Sequence, residues 1–318
     1  AQASTLGWTP DLERRASAHG WILPSSELVV LPSMGNVGNT SCVQCASCEE
    51  ARGSCYKDDN HLNGQSDLGI GLPLSFSQDK HEENNMKNGS PYTFDSGAVY
   101  TGQWEGQRRS GHGVQVWPTG ARYEGQWIDD KANGTGRYCH PNGDVHEGEW
   151  RLGRAHGHGT YVHTDGSRYV GQWEDDKQTG KGEEEWSDGA KYTGMYRLNK
   201  KHGHGSFSWA DGSCYEGEFA DNDIQGEGVY WWSDGRQFKG QWRSNRMDGY
   251  GIYTWSDGRQ YQGEYLHDLK HGHGVFTWRD GSTYDGEWRL GKQHGRGIST
   301  VTGGKPKEAE WEDGKRIG

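Results

Sequence analysis

Four cysteines crowd one short stretch, Cys42-x2-Cys45-x2-Cys48-x6-Cys55. Four thiolates are a donor set for zinc or an iron–sulfur cluster. The close packing of the first three, without a second Cys-x2-Cys pair, departs from the common ligand spacings. The same stretch follows Met34-Gly35-Asn36-Val37-Gly38-Asn39-Thr40, which reads as an N-myristoylation start. Asn39 stands where Ser or Thr is expected, with Thr40 one place late. With Gly35 as an N-terminus, Cys42, Cys45 and Cys48 become candidate palmitoyl acceptors, since stable anchoring takes two lipid signals. That reading requires residues 1–33 to be absent in the cell. The plain alternative is a set of reduced, unpaired thiols in a flexible segment.

Histidines and carboxylates offer two further sets. His156-Gly157-His158, His202-Gly203-His204 and His271-Gly272-His273 each put two imidazoles at a chelating spacing on a strand. Each pair lacks an evident third ligand, so solvent-facing histidines are expected and no metal is assigned. Glu183, Glu184 and Glu185 gather three carboxylates, and Glu184 falls where neighbouring copies of the pattern below carry an aromatic ring. No nucleophile, base or phosphate-cradling loop accompanies them, because every Gly-x-Gly here belongs to a strand instead of opening a helix. A non-enzyme without a cofactor is expected.

Such side chains need elements to hold them, and the elements are periodic. Tyr100-x-Gly102-x-Trp104 returns every 23 residues through Tyr123/Gly125/Trp127 and His146/Gly148/Trp150 to Tyr284/Gly286/Trp288, with a last echo at Lys307/Ala309/Trp311. A Gly-x-Gly signal keeps the same step from Gly111/Gly113 to Gly295/Gly297. Units of this length cannot bury their faces alone and must stack. Glycines and aromatics on alternate residues, as in Gly226-x-Gly228-x-Tyr230-x-Trp232, mark strands with one aromatic face.

Asp-Gly between two such strands marks a hairpin. A two-residue turn at Asp234-Gly235 would throw Phe238 to the wrong face. A three-residue loop with Gly235 left-handed pairs Trp232 with Arg236, Tyr230 with Phe238, Gly228 with Gly240 and Gly226 with Trp242, and is expected. The fold class is therefore all-β, an elongated single-layer antiparallel array of stacked hairpins over residues 92–311. A Cys-containing, largely disordered leader is expected over residues 1–91 and a tail over residues 312–318. Tyr92 and Phe94 at one end, and Ser299, Val301, Lys307 and Ala309 at the other, read as caps.

Composition bounds the rest. Only 30% of residues are hydrophobic and 52 are glycine, so 16 Trp and 16 Tyr must supply the core. A net charge of −11 disfavours nucleic acid as a partner. No apolar run is long enough for a membrane-spanning helix, and residues 1–33 lack the apolar centre of a secretory signal. Cys139 and Cys214 lie three repeats apart, too far for a disulfide, which points to a reducing, cytoplasmic setting.

Tyr-x-Gly-x-Trp, Gly-x-Gly and Asp-Gly at a 23-residue step resemble the MORN repeat (membrane occupation and recognition nexus), with about ten copies over residues 92–311. The resemblance implies elongated hairpin arrays like those of junctional membrane proteins, ciliary radial-spoke heads, protist cytoskeletal scaffolds and plant phosphatidylinositol phosphate kinases. Such arrays have been proposed as phospholipid binders and as protein-binding or dimerising modules. The leader is too polar for a kinase and no room follows Gly318, so the resemblance implies a non-catalytic module. The expected role is a scaffold or adaptor for protein partners or self-association, at a membrane or cytoskeletal structure. A phospholipid-binding tether and a regulatory region related to the kinases are the alternatives.

Two surfaces are candidates for that role. The aromatic face offers Tyr123, Trp127, Tyr169, Trp173, Trp209, Tyr230, Trp232, Trp242, Tyr253, Trp255, Tyr261 and Trp278 as partner anchors. Basic loops 46 residues apart offer Arg151, Arg154, Arg197, Lys200, Lys201, Arg243, Arg246, Arg289 and Lys292 to lipid phosphates. Acidic loops at Asp129-Asp130, Glu174-Asp175-Asp176, Asp221-Asn222-Asp223 and Asp268 alternate with them, so a ladder of exposed salt bridges is expected there instead.

Overall fold

The computed structural model of the protein describes residues 87–318. The leader up to residue 86 lies outside them, and with it the acylation candidates Gly35, Cys42, Cys45 and Cys48. Twenty-one strands, from Tyr92–Thr93 to Lys315–Arg316, form one antiparallel sheet, and no helix occurs among the described residues. Each strand pairs with the strands before and after it in sequence, so the chain is one continuous meander.

Two kinds of hairpin alternate. At the Asp-Gly sites the loop has three residues. Trp232 N–H donates to Arg236 O at 2.9 Å, Gly235 has φ 87°, and Tyr230 pairs with Phe238, Gly228 with Gly240 and Gly226 with Trp242. This is the expected register. Asp234 accepts the Arg236 amide at 3.1 Å, which explains why the loop favours Asp before Gly.

The segments from each Trp to the next Gly-x-Gly are also hairpins, tighter than the sequence suggested. Arg243 pairs with Arg246 across a two-residue turn, with φ 47° at Ser244 and 65° at Asn245. Both central residues are left-handed, the geometry of a type I′ turn, which suits the twist of a hairpin. The second turn residue also binds the preceding hairpin. Asn245 accepts the Ile224 amide at 2.7 Å, Asn222 the Lys201 amide at 2.9 Å and Asp268 the Met247 amide at 2.8 Å.

The Gly-x-Gly pair divides its work between two causes. Trp242 pairs with Met247 but Gly240 with Gly251, so the second strand bulges at residues 248–250, where Gly249 has φ 111°. Gln241 Oε1 closes the bulge by accepting the Tyr250 amide at 2.9 Å. The second glycine is bare for a different reason: a Cβ on Gly251 would overlap the Phe238 ring.

Rings laid on those glycines make the core. Tyr123 is fully buried and meets its own Trp127 edge-on at 5.0 Å and Trp150 of the following unit at 5.3 Å. Its hydroxyl donates to Gln126 O at 3.0 Å, and Trp150 Nε1–H donates to Gly136 O at 3.0 Å. Edge-to-face pairs add about 0.5–1.5 kcal/mol each beyond area burial, and pairs such as Tyr123–Trp150 join adjacent units. Stability is thus built from nearest-neighbour interfaces, as in a solenoid.

Candidate partner-binding surfaces

Alternation sends four aromatic rows to one face of the sheet, and they differ in depth. Tyr123, Trp127, Tyr169, Trp173, Tyr230, Trp242, Tyr253 and Tyr261 are buried against neighbouring rings. Burial pushes the Tyr230 hydroxyl up to about 12. Trp209, Trp232, Trp255 and Trp278 belong, with Trp117 and Trp186, to an outer row beside the three-residue loops and are only half-buried, Trp278 being 38% exposed. The aromatic candidates therefore separate into eight core rings and four that reach solvent.

The outer row is continuous. Trp209 meets Tyr230 at 5.1 Å, Tyr230 meets Trp232 at 4.6 Å, Trp232 meets Tyr253 at 5.3 Å and Tyr253 meets Trp255 at 4.5 Å. The rings continue through Phe276 to Trp278, at 5.3 and 4.7 Å. Arg236 lies over Trp232 while donating to Asp234 at 2.6 Å, and Arg259 repeats this with Trp255 and Asp257 at 2.8 Å.

The row changes character where histidine replaces tryptophan. His140 and His163 occupy outer positions, and His146 is buried between Trp150 and Trp173 at 5.2 and 5.0 Å. Burial lowers the His146 imidazole to about 3. Buried Asp144 accepts from Tyr161 Oη at 2.9 Å, the Thr164 amide at 2.9 Å and Asn142 at 3.1 Å, and faces His163 Nδ1 at 3.4 Å. Although burial opposes it, this set holds the Asp144 carboxyl well below the usual range, and Asp144 in turn raises His163.

The opposite edge carries the tight turns and the basic candidates. Arg151, Arg154, Arg197, Lys200, Arg243, Arg246, Arg289 and Lys292 are exposed there. Arg197 reaches Asp221 at 3.4 Å, Arg289 reaches Asp313 at 3.4 Å and Arg154 reaches Asp175 at 3.9 Å, each on the next turn. Arg243 reaches the carboxylate of Asp248 at 3.5 Å. The salt-bridge ladder is present, and exposed pairs of this kind contribute about 0–1 kcal/mol.

Lys201 does not belong to that edge. It is 8% exposed, packs over Trp186 at 4.7 Å and lies 3.4 Å from Glu184. Glu184 thereby has an explanation that the sequence did not supply: it takes an aromatic position to receive Lys201 and the Tyr196 hydroxyl, at 2.7 Å. Arg109 and Lys270 occupy the same row as Lys201. Arg109 is held by Asp130 at 3.1 Å over Trp127, and Lys270 lies among Trp255, Phe276 and Trp288.

The paired histidines sit at the bulges, with Gly157, Gly203 and Gly272 left-handed between them. Among the described residues no three His, Cys, Asp or Glu side chains are grouped to hold a metal, and no helix is long and apolar enough to cross a membrane.

A family model described as the MORN repeat matches nine consecutive units, from residues 100–122 through 284–303. The chain belongs to the MORN-repeat family. MORN repeats are repeat-based binding and scaffolding modules, and the 23-residue step of the match coincides with the hairpin pairs described above. A comparison with curated proteins gives no match.

Among solved structures, the MORN array is similar to the CPAP G-box domain, the subject of a report suggesting a role in centriole elongation, at 15% identity over 64% of this chain and 100% of that one, with a TM-score of 0.33. It is similar to the SAS-4 (dCPAP) TCP domain of Drosophila melanogaster in complex with a proline-rich motif of Ana2, at 15% identity over 49% and 85%, TM-score 0.30. The TCP10 domain of Danio rerio CPAP follows at 12% identity over 72% and 97%, TM-score 0.24. At these scores nothing is carried from those domains to this chain.

Proposed function

We propose that this MORN array is a non-catalytic scaffold or adaptor that binds a protein partner through the outer tryptophan row. The observation that carries this reading is the difference in depth. Eight aromatic candidates are locked in the core, while Trp209, Trp232, Trp255 and Trp278 leave ring surface open on successive units. Tryptophan is a frequent interface anchor, and repetition along an array gives a partner several equivalent contacts. The setting that goes with it is the cytoplasm, at the periphery of a membrane or cytoskeletal structure.

The tether reading draws on the exposed arginines of the opposite edge. Their carboxylate neighbours weaken any field reaching a phosphate surface. Cosedimentation of the full chain with neutral and anionic liposomes, run beside a mass by light scattering, separates the two. Absence of pelleting with a dimeric mass supports the scaffold. Pelleting with anionic liposomes that weakens with salt transfers the function to the basic edge.

A further inference from the structure

The tight turns alternate in charge from one unit to the next. Residues 128–131 carry a net −1, 151–154 +2, 174–177 −2, 197–200 +2 and 220–223 −2. The series goes on with +2 at 243–246, −1 at 266–269, +2 at 289–292 and −1 at 312–315. Its period is two units, about 19 Å for four strands at ~4.8 Å each. Salt bridges from Arg154, Arg197 and Arg289 to the next turn use the pattern within the chain, yet the Arg197 and Asp221 side chains remain 55% and 57% exposed. A guanidinium has five donors and a carboxylate two acceptor oxygens, so both keep capacity for a second contact.

The same edge exposes aliphatic side chains. Leu152, Leu198 and Leu290, in basic turns, are 65%, 63% and 68% exposed. Each takes the first turn position with φ of 53°, 51° and 50°, a left-handed backbone that costs leucine more than Asn, Asp or Gly. Ile128 and Leu266, beside acidic turns, are 55% and 40% exposed.

A second copy laid along this edge in the opposite direction satisfies both patterns. With a two-fold axis between the turns at Leu198 and Asp221, turn 197–200 faces the copy's 220–223, turn 174–177 its 243–246, turn 151–154 its 266–269 and turn 128–131 its 289–292. Every one of these pairs is opposite in sign. Leu152 comes opposite Leu266 and Leu290 opposite Ile128, each twice by symmetry. An axis half a unit away sets like charges together. An axis one unit away keeps the signs but parts Leu152 from Leu266 and leaves Leu290 or Ile128 with no opposing turn. The residues flanking each turn pair with one another, as Arg243 does with Arg246, and by alternation share the face away from the deep tryptophans. An axis perpendicular to the sheet keeps these flanks on one face in both copies, whereas a parallel copy would present them on opposite faces.

We infer that the tight-turn edge is an isologous interface with a second, antiparallel copy of this chain, held by opposite charges at the four central turns and by paired aliphatic side chains on either side. A self-complementary patch of this kind closes at two copies. The pairing leaves the outer tryptophan row on the two outside edges, so it goes beyond the scaffold reading and does not draw on it.

The test measures the mass of the full chain by light scattering across protein and salt concentration. The native chain is expected at twice the single-chain mass, with a dimer at least about tenfold weaker in high salt than in low. Ser244→Glu/Arg246→Glu makes turn 243–246 acidic, and Glu174→Lys/Asp175→Lys makes turn 174–177 basic. All four residues are exposed, and the Arg243 contact with Asp248 is kept. Each double variant is expected to be monomeric with a native far-UV spectrum, and their equimolar mixture to recover a dimer within about threefold of native affinity. Asp221→Lys mixed with Ser244→Glu/Arg246→Glu is expected to stay at least about tenfold weaker than native, because those turns do not face each other. Leu152→Ser/Leu290→Ser is expected to weaken the dimer about tenfold and to leave its salt dependence in place. A native chain that stays monomeric, charge variants that dimerise like the native chain, or equal rescue by Asp221→Lys overturns the proposal. A monomer that pellets with anionic liposomes also overturns it and gives the edge to lipid. In each of these cases the outer tryptophan row is untouched.

Discussion

Lys201 Nζ lies 3.4 Å from Glu184 Oε2 inside the aromatic face, Lys201 in a row that also carries Arg109 and Lys270, and Glu184 in a row that is otherwise uncharged. Lys201 stands where other units carry Ala132, Ala155, Ile224 or Met247, and Glu184 where they carry Tyr161, Phe207 or Tyr230. Two departures from the repeat, 17 residues apart in sequence, are one interaction in space.

Breaking that pair should be costly and removing it cheap. Glu184→Ala or Lys201→Ala leaves a desolvated charge among rings, and a loss of about 3 kcal/mol is expected in denaturant unfolding. The double variant Glu184→Phe/Lys201→Met restores both rows and is expected to recover to within about 1.5 kcal/mol of the native chain. The residual cost belongs to the Tyr196 hydroxyl, which loses its acceptor. A double variant no better than the worse single one would show that the ion pair itself holds this region.

Acid should act through His146. Its folded value, lowered by burial to about 3, lies below the ordinary unfolded value near 6.5. Between those two pH values the unfolded chain binds a proton that the folded chain refuses, so stability falls as pH falls, by up to about 1.4 kcal/mol per unit. His163 has the opposite sign. Asp144 raises it, so its contribution is complete below about 6.5 and is lost as pH rises through the folded value. His146→Tyr, which restores the residue common in that row, is therefore expected to flatten the acid limb of a stability–pH curve. His163→Gln should flatten the limb that begins above about 6.5. An unchanged acid limb in His146→Tyr would place the acid sensitivity elsewhere.

How much of this was readable in the sequence depends on how many residues shared each cause. The register of the Asp-Gly hairpins was legible because parity, loop length and glycine placement all constrain it, and Trp232/Arg236 and Gly226/Trp242 pair as they require. The Trp-to-Gly-x-Gly turns were legible only as charged loops. Their hairpin geometry depends on left-handed Asp, Asn and Leu, for which the sequence pattern gives a weak cue compared with Asn-Gly. Lys201 looked like the companion of Lys200, yet Ala132, Ala155, Ile224 and Met247 at the same place in four other units were the available sign that it points inward. Glu184 could not be explained alone, because its partner belongs to the next unit. The depth of the aromatic rows was also hidden: Tyr230 and Trp232 have the same parity, and only neighbouring rings decide which reaches water.

Substitution of glycine should separate the two reasons for its presence. A Cβ on Gly205 would stand 2.6 Å from the Tyr192 hydroxyl and 2.7 Å from its ring, so Gly205→Ala must displace a fully buried ring. At Gly258 a Cβ meets nothing within 4 Å and only the φ of 91° resists. Gly258→Ala is expected to cost about 1–2 kcal/mol, the price of a left-handed residue, and Gly205→Ala distinctly more. Amide exchange should show the Gly205→Ala loss concentrated in the strands around Tyr192, as expected for a repeat array whose units are coupled only to neighbours. Equal costs would mean that the ring has room to move.

Among the described residues, Met195 marks the one place where the bulge lacks its side-chain acceptor. In the equivalent positions Gln103 accepts the His112 amide at 2.7 Å, Gln126 the Thr135 amide at 2.9 Å and Glu149 the His158 amide at 3.0 Å. Methionine offers only a weakly accepting thioether, and it leaves a Cβ on Gly203 no closer than 3.6 Å to any atom, whereas Gln126 crowds Gly134. Met195→Gln should therefore supply the His204 amide with a partner and remove an exposed apolar side chain from the polar face. A gain of about 0.5–1.5 kcal/mol is expected, read as a higher denaturant midpoint at unchanged slope. The reverse change, Gln126→Met, should lose a similar amount and speed exchange of the Thr135 amide. If both variants move together, or neither moves, the bulge is held by its glycine alone and the Gln or Glu of the repeat serves the surface.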